Sequence, residues 1–239
     1  MTIVVAGATG ATGRHVVKQL LARDVSVKAI VRSKARLLSL VGESDKMTVI
    51  EAGVSEIGDK ELYEYIHDAE GFISCLGHNL NFRGIYGKPR RLVTDTVSRV
   101  CRLVSENNSG TPFKYILMNT SGNRNRDLNE HISAGEKMVV GLIRMLLPPH
   151  SDNEHAADYL WTQIGDKHRN IEWVAVRPDS LINEELISSY DVHPSPVRSA
   201  IFNPGQTSRI NIGHFMAEMI IDNNLWNKWK GQMPVIYNT

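Results

Sequence analysis

The 239-residue chain predicts an α/β fold, a doubly wound parallel sheet with helices on both faces and a small C-terminal cap. Two observations carry that prediction. β-rich apolar runs alternate with helical patterns along the chain at the spacing of strand–helix–strand units. Three glycines, Gly7, Gly10 and Gly13, stand directly between the first such run and the first helical pattern.

The elements follow in order. Ile3 to Ala6 reads as a short strand, and a helix runs from about Thr12 to Arg23. Val25 to Val31 alternates as a second strand, and a charged helical segment extends to Leu40. "MTVIEA" reads as the third strand, "KELYEYI" as a helix and "GFISCLG" as the fourth strand. An irregular loop from His78 to Lys88 comes next. Pro89 is read as opening a helix whose apolar positions Leu92, Val93, Val97, Val100, Cys101 and Val104 keep the 3.6-residue period. "FKYILMN" and "IEWVAV" are the fifth and sixth strands.

Between those two strands lie roughly fifty residues, room for one helix before Pro148-Pro149 and one after, the second opened by a capping box at Ser151 to Glu154. Pro178 to Gln206 is rich in loop residues. A last helix is expected with Asn211 as its cap and Ile212, Phe215, Met216, Met219 and Ile220 as its buried stripe. The whole chain reads as a single domain, in which residues from about 183 to 239 contribute a small cap on the substrate side.

Bulk properties exclude several classes. A formal charge of +1 with 42% hydrophobic residues gives no basic excess for nucleic acid and no charge block for a disordered tail. The first strand begins at Thr2, leaving no room for a signal peptide, and the apolar stretch Met138 to Leu147 is broken by Arg144 and ends at the proline pair, too short for a bilayer. Two cysteines, Cys75 and Cys101, make no disulfide framework, so a cytoplasmic location is expected. Cys75 and His78 make half a metal site with no second half, and no metal is expected.

In a doubly wound sheet the first strand-to-helix turn lies where strand order reverses, and ligands sit there beyond the strand ends. Gly7 then permits the tight turn, Gly10 lets backbone approach a pyrophosphate at the helix N-terminus, and Gly13 lets the helix pack closely on the first strand. The glycines make room for a dinucleotide.

The string "GATGATG", with "VR" at Val31-Arg32, "SCLG" at Ser74 to Gly77, "NTSG" at Asn119 to Gly122 and "EWVAVRPDSL" at Glu172 to Leu181, resembles the Rossmann-like short-chain dehydrogenase/reductase superfamily. The likeness is to its atypical NAD(P)H-binding branch, with biliverdin-IXβ/flavin reductases and the dinucleotide-sensing nitrogen regulators of fungi. It covers most of the chain and thins beyond Pro178. It implies that a dinucleotide is held by the whole turn (Gly7, Ala8, Thr9, Gly10, Ala11, Thr12 and Gly13), with Leu76, Gly77, Thr120 and Pro178 from the later motifs.

An NAD site usually places an acidic residue at the end of the second strand, whereas this chain has Arg32 there. A guanidinium matches the 2′-phosphate, so NADPH is the expected cofactor. Ser33 and Arg14 can assist, while Lys34 and Arg36 read as solvated helix charges. The resemblance places Ser121 where the superfamily's serine stands. The superfamily's Tyr-x-x-x-Lys pair is absent, because none of the seven tyrosines has a lysine four residues on. Ser133 with Lys137, or Ser151 with His155, are the substitutes that spacing offers.

A reductase delivering hydride to a small, planar or conjugated acceptor manages without that tyrosine, with Ser121 polarising the acceptor and His78 as a polar group facing it. The loop "GHNLNFRGIYGKPRR" leaves the fourth strand. Phe82 and Tyr86 offer flat surfaces, Gly84 and Gly87 hinges, and Lys88, Arg90 and Arg91 gather cations at a helix start, which invites an anion. The competing expectations are a non-catalytic NADP(H) sensor acting on a protein partner and a nucleotide-sugar epimerase. Oligomeric state has no signal in the sequence.

Overall fold

The computed structural model describes residues 1–78, 87, 89–107, 110–125, 127–128, 130 and 134–239. Ten strands are formed among them: β1 (Thr2–Ala6), β2 (Ser26–Val31), β3 (Met47–Glu51), β4 (Gly71–Ser74), β5 (Phe113–Met118), β6 (Ile171–Pro178), β7 (Ser180–Ile182), β8 (Tyr190–His193), β9 (Gln206–Ser208) and β10 (Val235–Asn238). Eight of them make one sheet in the order β3-β2-β1-β4-β5-β6-β10-β8, and β7 pairs with β9 apart from it. All neighbours in the sheet are parallel except β8, which runs antiparallel to β10 at the edge. Strand order reverses between β1 and β4, so a crevice opens beyond their carboxyl ends.

The helices are α1 (Gly13–Ala22), α2 (Lys34–Val41), α3 (Asp59–Ile66), α4 (Leu92–Asn107), α5 (Ala134–Leu146), α6 (Pro148–Tyr159), α7 (Arg209–Ile221) and α8 (Asn223–Trp229). A π turn, Leu160–Ile164, continues α6.

The sheet is buried on both faces because its strands send alternate side chains to two cores. Ile3, Val5, Val27, Ala29, Ile73, Ile116 and Val174 face α1 and α7, whereas Val4, Ala6, Phe72, Tyr115 and Trp173 face α4 and α6. On the first face α1 and α7 approach so closely that a Cβ on Gly213 would lie 2.7 Å from that of His15. This is why a glycine interrupts the apolar stripe of α7.

Several element starts differ from the sequence reading. The proline pair marks the expected boundary between α5 and α6 but belongs to the second helix, Pro148 and Pro149 standing at its first positions, where a missing N–H costs nothing. The segment Ser151 to Glu154 therefore lies within α6 rather than capping it. α4 begins at Leu92, not Pro89. α7 is capped by Ser208, whose hydroxyl accepts from the Asn211 amide, while Asn211 is buried and donates to Ser188 and Asn238. Beyond residue 183 the chain does more than cap the sheet, since β8 and β10 extend it.

Candidate functional site

A cleft of about 530 Å³ lies at the crevice between β1 and β4. Gly7, Thr9, Gly10, Arg32, Leu76, Gly77 and His78 all line it, so seven of the residues singled out from the sequence meet in one place. Ala11 is exposed nearby in the chain, whereas Ala8, Thr12 and Gly13 are buried beneath the turn. Thr120, Ser121 and Pro178 do not line this cleft. A second cleft, about 260 Å³, is lined by Glu70 and Phe113 at the amino ends of β4 and β5, away from the strand ends that bind ligands in this architecture.

The three glycines have separate reasons. Gly7 has φ +77°, and a Cβ there would lie 2.5 Å from the Cys75 carbonyl oxygen. At Gly13 a Cβ would collide with the Gly7 carbonyl, so the start of α1 sits directly on the end of β1. Gly10 is exposed at the cleft, its amide donating to Gly7 O at 2.9 Å. Thr12, the residue preceding α1, makes no side-chain cap, and the first turn carries no acidic residue. The positive end of α1 thus opens uncompensated beside the cleft, as a phosphate site requires.

At the end of β2, Arg32 and Arg36 both line the cleft, are exposed and have no ion-pair partner among the described residues. The sequence reading makes Arg36 a solvated helix charge, yet α2 carries it back over the cleft. Ser33 is committed to capping α2, accepting from the Arg36 amide at 3.2 Å. Glu56 also lines the cleft and accepts from the Gly53 amide at 3.1 Å. Cys75 contributes a neutral wall, because burial pushes its thiol up to about 12.

The far wall is built on Asp152, buried in α6. Its Oδ2 accepts from the Val93 amide at 2.8 Å and contacts His78 Nε2 at 2.8 Å. Its Oδ1 accepts from the Thr94 amide at 3.0 Å and the Thr94 hydroxyl at 2.7 Å. The anion invited by the start of α4 is therefore supplied from within the protein, which removes that ground for expecting an acidic acceptor there. Arg91 lies near Asp95 at 3.7 Å on the exposed side. Asp152 escapes the sequence reading because a lone acidic residue near a proline pair carries no local sign of burial.

Ser121 follows β5 and is nearly buried; its amide donates to Pro178 O at 2.9 Å, and its hydroxyl is bonded to the Asp179 carboxylate. Burial raises the Asp179 carboxyl above its ordinary value, against the opposing pull of the Gly205 amide and the Ser121 hydroxyl. The loop beyond Ser121 is pinned by Arg177. Its guanidinium pairs with Glu130 at 2.7 and 3.0 Å and donates to the carbonyls of Met233, Asn123 and Pro194, which satisfies all five N–H groups of a wholly buried arginine. Of the spacing-based substitutes, Ser151 sits on α6 and His155 is exposed, while Ser133 and the Lys137 side chain lie outside the described residues, as do Phe82, Gly84, Tyr86 and Lys88.

Among the described residues, no helix is long and apolar enough to cross a membrane. An uncharacterized chloroplastic protein of Arabidopsis thaliana is 38% identical over 73 residues, a match covering 30% of this chain and 26% of that protein. Solved structures similar over the whole chain include the candidate NADH-flavin reductase of Streptococcus pneumoniae, at TM-score 0.68 and 16% identity, covering 100% of both chains. The oxidoreductase ylbE of Lactococcus lactis is similar at TM-score 0.68 and 16% identity, covering 100% of this chain and 91% of its own. A short-chain dehydrogenase/reductase of Veillonella parvula, solved in complex with NADP, is similar at TM-score 0.68 and 15% identity, covering 99% and 94%. At such identities these structures show a shared fold. The sequence model of the NAD(P)H-binding family matches residues 7–223, and the chain belongs to that family.

Proposed function

We propose that this protein is an NADPH-dependent oxidoreductase that reduces a small, conjugated acceptor. The observation that carries the preference for NADPH is the pair Arg32 and Arg36, two cations on the cleft at the end of β2 without ion-pair partners among the described residues. The site also fits the rest of the cofactor: the uncapped start of α1 accepts a pyrophosphate, and Leu76 and Gly77 border the side toward His78. When bound, the reduced dinucleotide supplies hydride. The chain orients the two reactants, excludes water and stabilises charge as it develops. Ser121 serves as a hydrogen-bond donor to the acceptor by turning its hydroxyl from Asp179, and the region from about residue 183 closes the substrate side through Gly205, which donates to Asp179 beside Ser121 at 2.9 Å. Thr120 and Pro178 flank that serine. The two free cysteines fit a reducing, cytoplasmic setting.

Calorimetric titration with NADPH and NADH tests the cofactor, and incubation with NADPH plus FMN or dichlorophenolindophenol tests turnover. Tighter binding of NADPH with oxidation of the cofactor is expected. A second reading, an NADP(H) sensor without turnover, is favoured by the missing Tyr-x-x-x-Lys pair. Tight binding with no oxidation of NADPH by any acceptor would select it.

A further inference from the structure

We propose that His78 donates the proton to the acceptor from its Nδ1 and that Asp152 is the positioning residue that makes this possible. The inference rests on the oxidoreductase reading above and adds the proton donor that the missing tyrosine leaves open.

Both oxygens of Asp152 face donors that cannot reverse: the Val93 amide on Oδ2, and the Thr94 amide on Oδ1. With the Thr94 hydroxyl also donating to Oδ1, three donors already point at the two oxygens, so the carboxylate is the acceptor in its remaining contact, the one to His78. His78 Nε2 lies 2.8 Å from Oδ2 and must therefore carry hydrogen. One tautomer of the neutral ring satisfies this, with hydrogen on Nε2 and a lone pair on Nδ1. Protonation adds hydrogen at Nδ1 and leaves the bond to Asp152 intact.

Position follows from the fold. His78 comes directly after the β4 motif, at the cleft that Gly7, Gly10 and Gly77 also line. Its side chain is 6% exposed and that of Asp152 is 1% exposed, so the carboxylate is shielded from water while the ring keeps a small exposure. Nδ1 has no hydrogen-bond partner among the described residues. Asp152 joins the segment after β4, the start of α4 and α6 at one carboxylate, so the ring is held by the same contacts that hold the wall of the cleft.

In the reducing direction the acceptor gains hydride from the reduced dinucleotide and negative charge builds on one of its heteroatoms. The Nδ1–H bond of the protonated ring breaks as the heteroatom–H bond forms. The ring is left neutral with hydrogen on Nε2, and solvent returns the proton to Nδ1. The acceptor has then taken up two electrons and two hydrogens, and the dinucleotide has been oxidised by two electrons.

The first test needs no turnover. In protein labelled with ¹⁵N at its histidine rings, neutral His78 should show hydrogen on Nε2, and Asp152→Asn should shift the population toward hydrogen on Nδ1. A wild-type ring with hydrogen on Nδ1 overturns the proposal. Asp152→Asn also sets an amide against a backbone N–H of α4 and can fail to fold, so His78→Gln, which leaves both α4 amides capped, is the second variant. With NADPH and either FMN or dichlorophenolindophenol, His78→Gln should lose about 10²-fold in turnover, the low end of what a positioned proton donor contributes. NADPH affinity should stay within a few-fold. Added imidazole should restore turnover to His78→Ala. Wild-type activity that survives His78→Gln overturns the proton transfer alone. Wild-type protein that binds NADPH but reduces neither acceptor overturns the oxidoreductase reading, and the proposal with it.

Discussion

Two helices start beyond the carboxyl ends of the strands and treat their N-termini in opposite ways. α1 begins with neither a side-chain cap nor an acidic residue, beside an exposed glycine turn. α4 begins sealed, its Val93 and Thr94 amides taken by the buried carboxylate of Asp152. Both ends carry the partial positive charge of a helix dipole. One is left open beside the cleft and the other is neutralised internally. The difference teaches that a helix start reads as an anion site only when nothing in the fold already occupies it, and occupancy can come from a residue fifty-eight positions away.

Breaking the sealed end should have the largest effect. Asp152→Ala strands two buried amides, while the Thr94 hydroxyl keeps the residue-152 carbonyl at 2.9 Å, and losing hydrogen bonds to a charged group costs about 1.5–3 kcal/mol each before relaxation. We expect a loss of about 3 kcal/mol or more, read as a lower urea midpoint with an unchanged slope.

At the open end the effect should fall on binding. On the NADPH reading proposed above, Arg32→Ala should remove a charge-assisted contact to the 2′-phosphate of about 1.5–3 kcal/mol, roughly 10- to 150-fold in NADPH affinity. NADH affinity should scarcely move. Equal losses for both, measured by calorimetry, would take Arg32 out of the 2′-phosphate site.

The serine beyond β5 tests whether chemistry lies between the two ends. Ser121→Ala should lower turnover by about 10²-fold or less with cofactor affinity nearly intact. A collapse of cofactor affinity would instead make it a residue that holds the dinucleotide.

Closing the open end sharpens the comparison further. Ala11→Asp, exposed just before α1, should help the helix by about 0.3–1 kcal/mol and repel a pyrophosphate. Weaker dinucleotide binding by about tenfold, with stability unchanged or slightly raised, is the expected pair of results.

The smallest effect concerns Asp179. Burial raises its carboxyl, so the native state keeps that proton to higher pH than the unfolded chain does. Its contribution to stability therefore falls as pH rises from the usual carboxylate range through the raised value. Asp179→Asn keeps an oxygen for the Gly205 amide and should flatten that slope in denaturation curves recorded across the acid range.

The two ends also differ in how far they are legible. The open one is local: Gly7, Gly10 and Gly13 act within one strand–turn–helix unit, and Arg32 stands at the end of the next strand, so spacing along the chain reports spacing in the fold. The alternation of apolar runs similarly carries six parallel strands and both helices between β5 and β6, because periodicity records burial directly. Where a helix begins is less readable. The proline pair suits a boundary and a first turn equally well, and only packing places it inside α6.

By itself, then, the sequence determined the architecture and the glycine turn proposed to receive a dinucleotide, since both depend on residues adjacent in the chain. Tertiary structure decided which charges remain available. It carried Arg36 back over the cleft. It also buried Arg177 against Glu130 and turned Asp152 inward to meet His78 and the start of α4. The physical reason is that desolvation obliges each buried polar group to find a partner, and the partner is chosen by proximity in space, which no local pattern records.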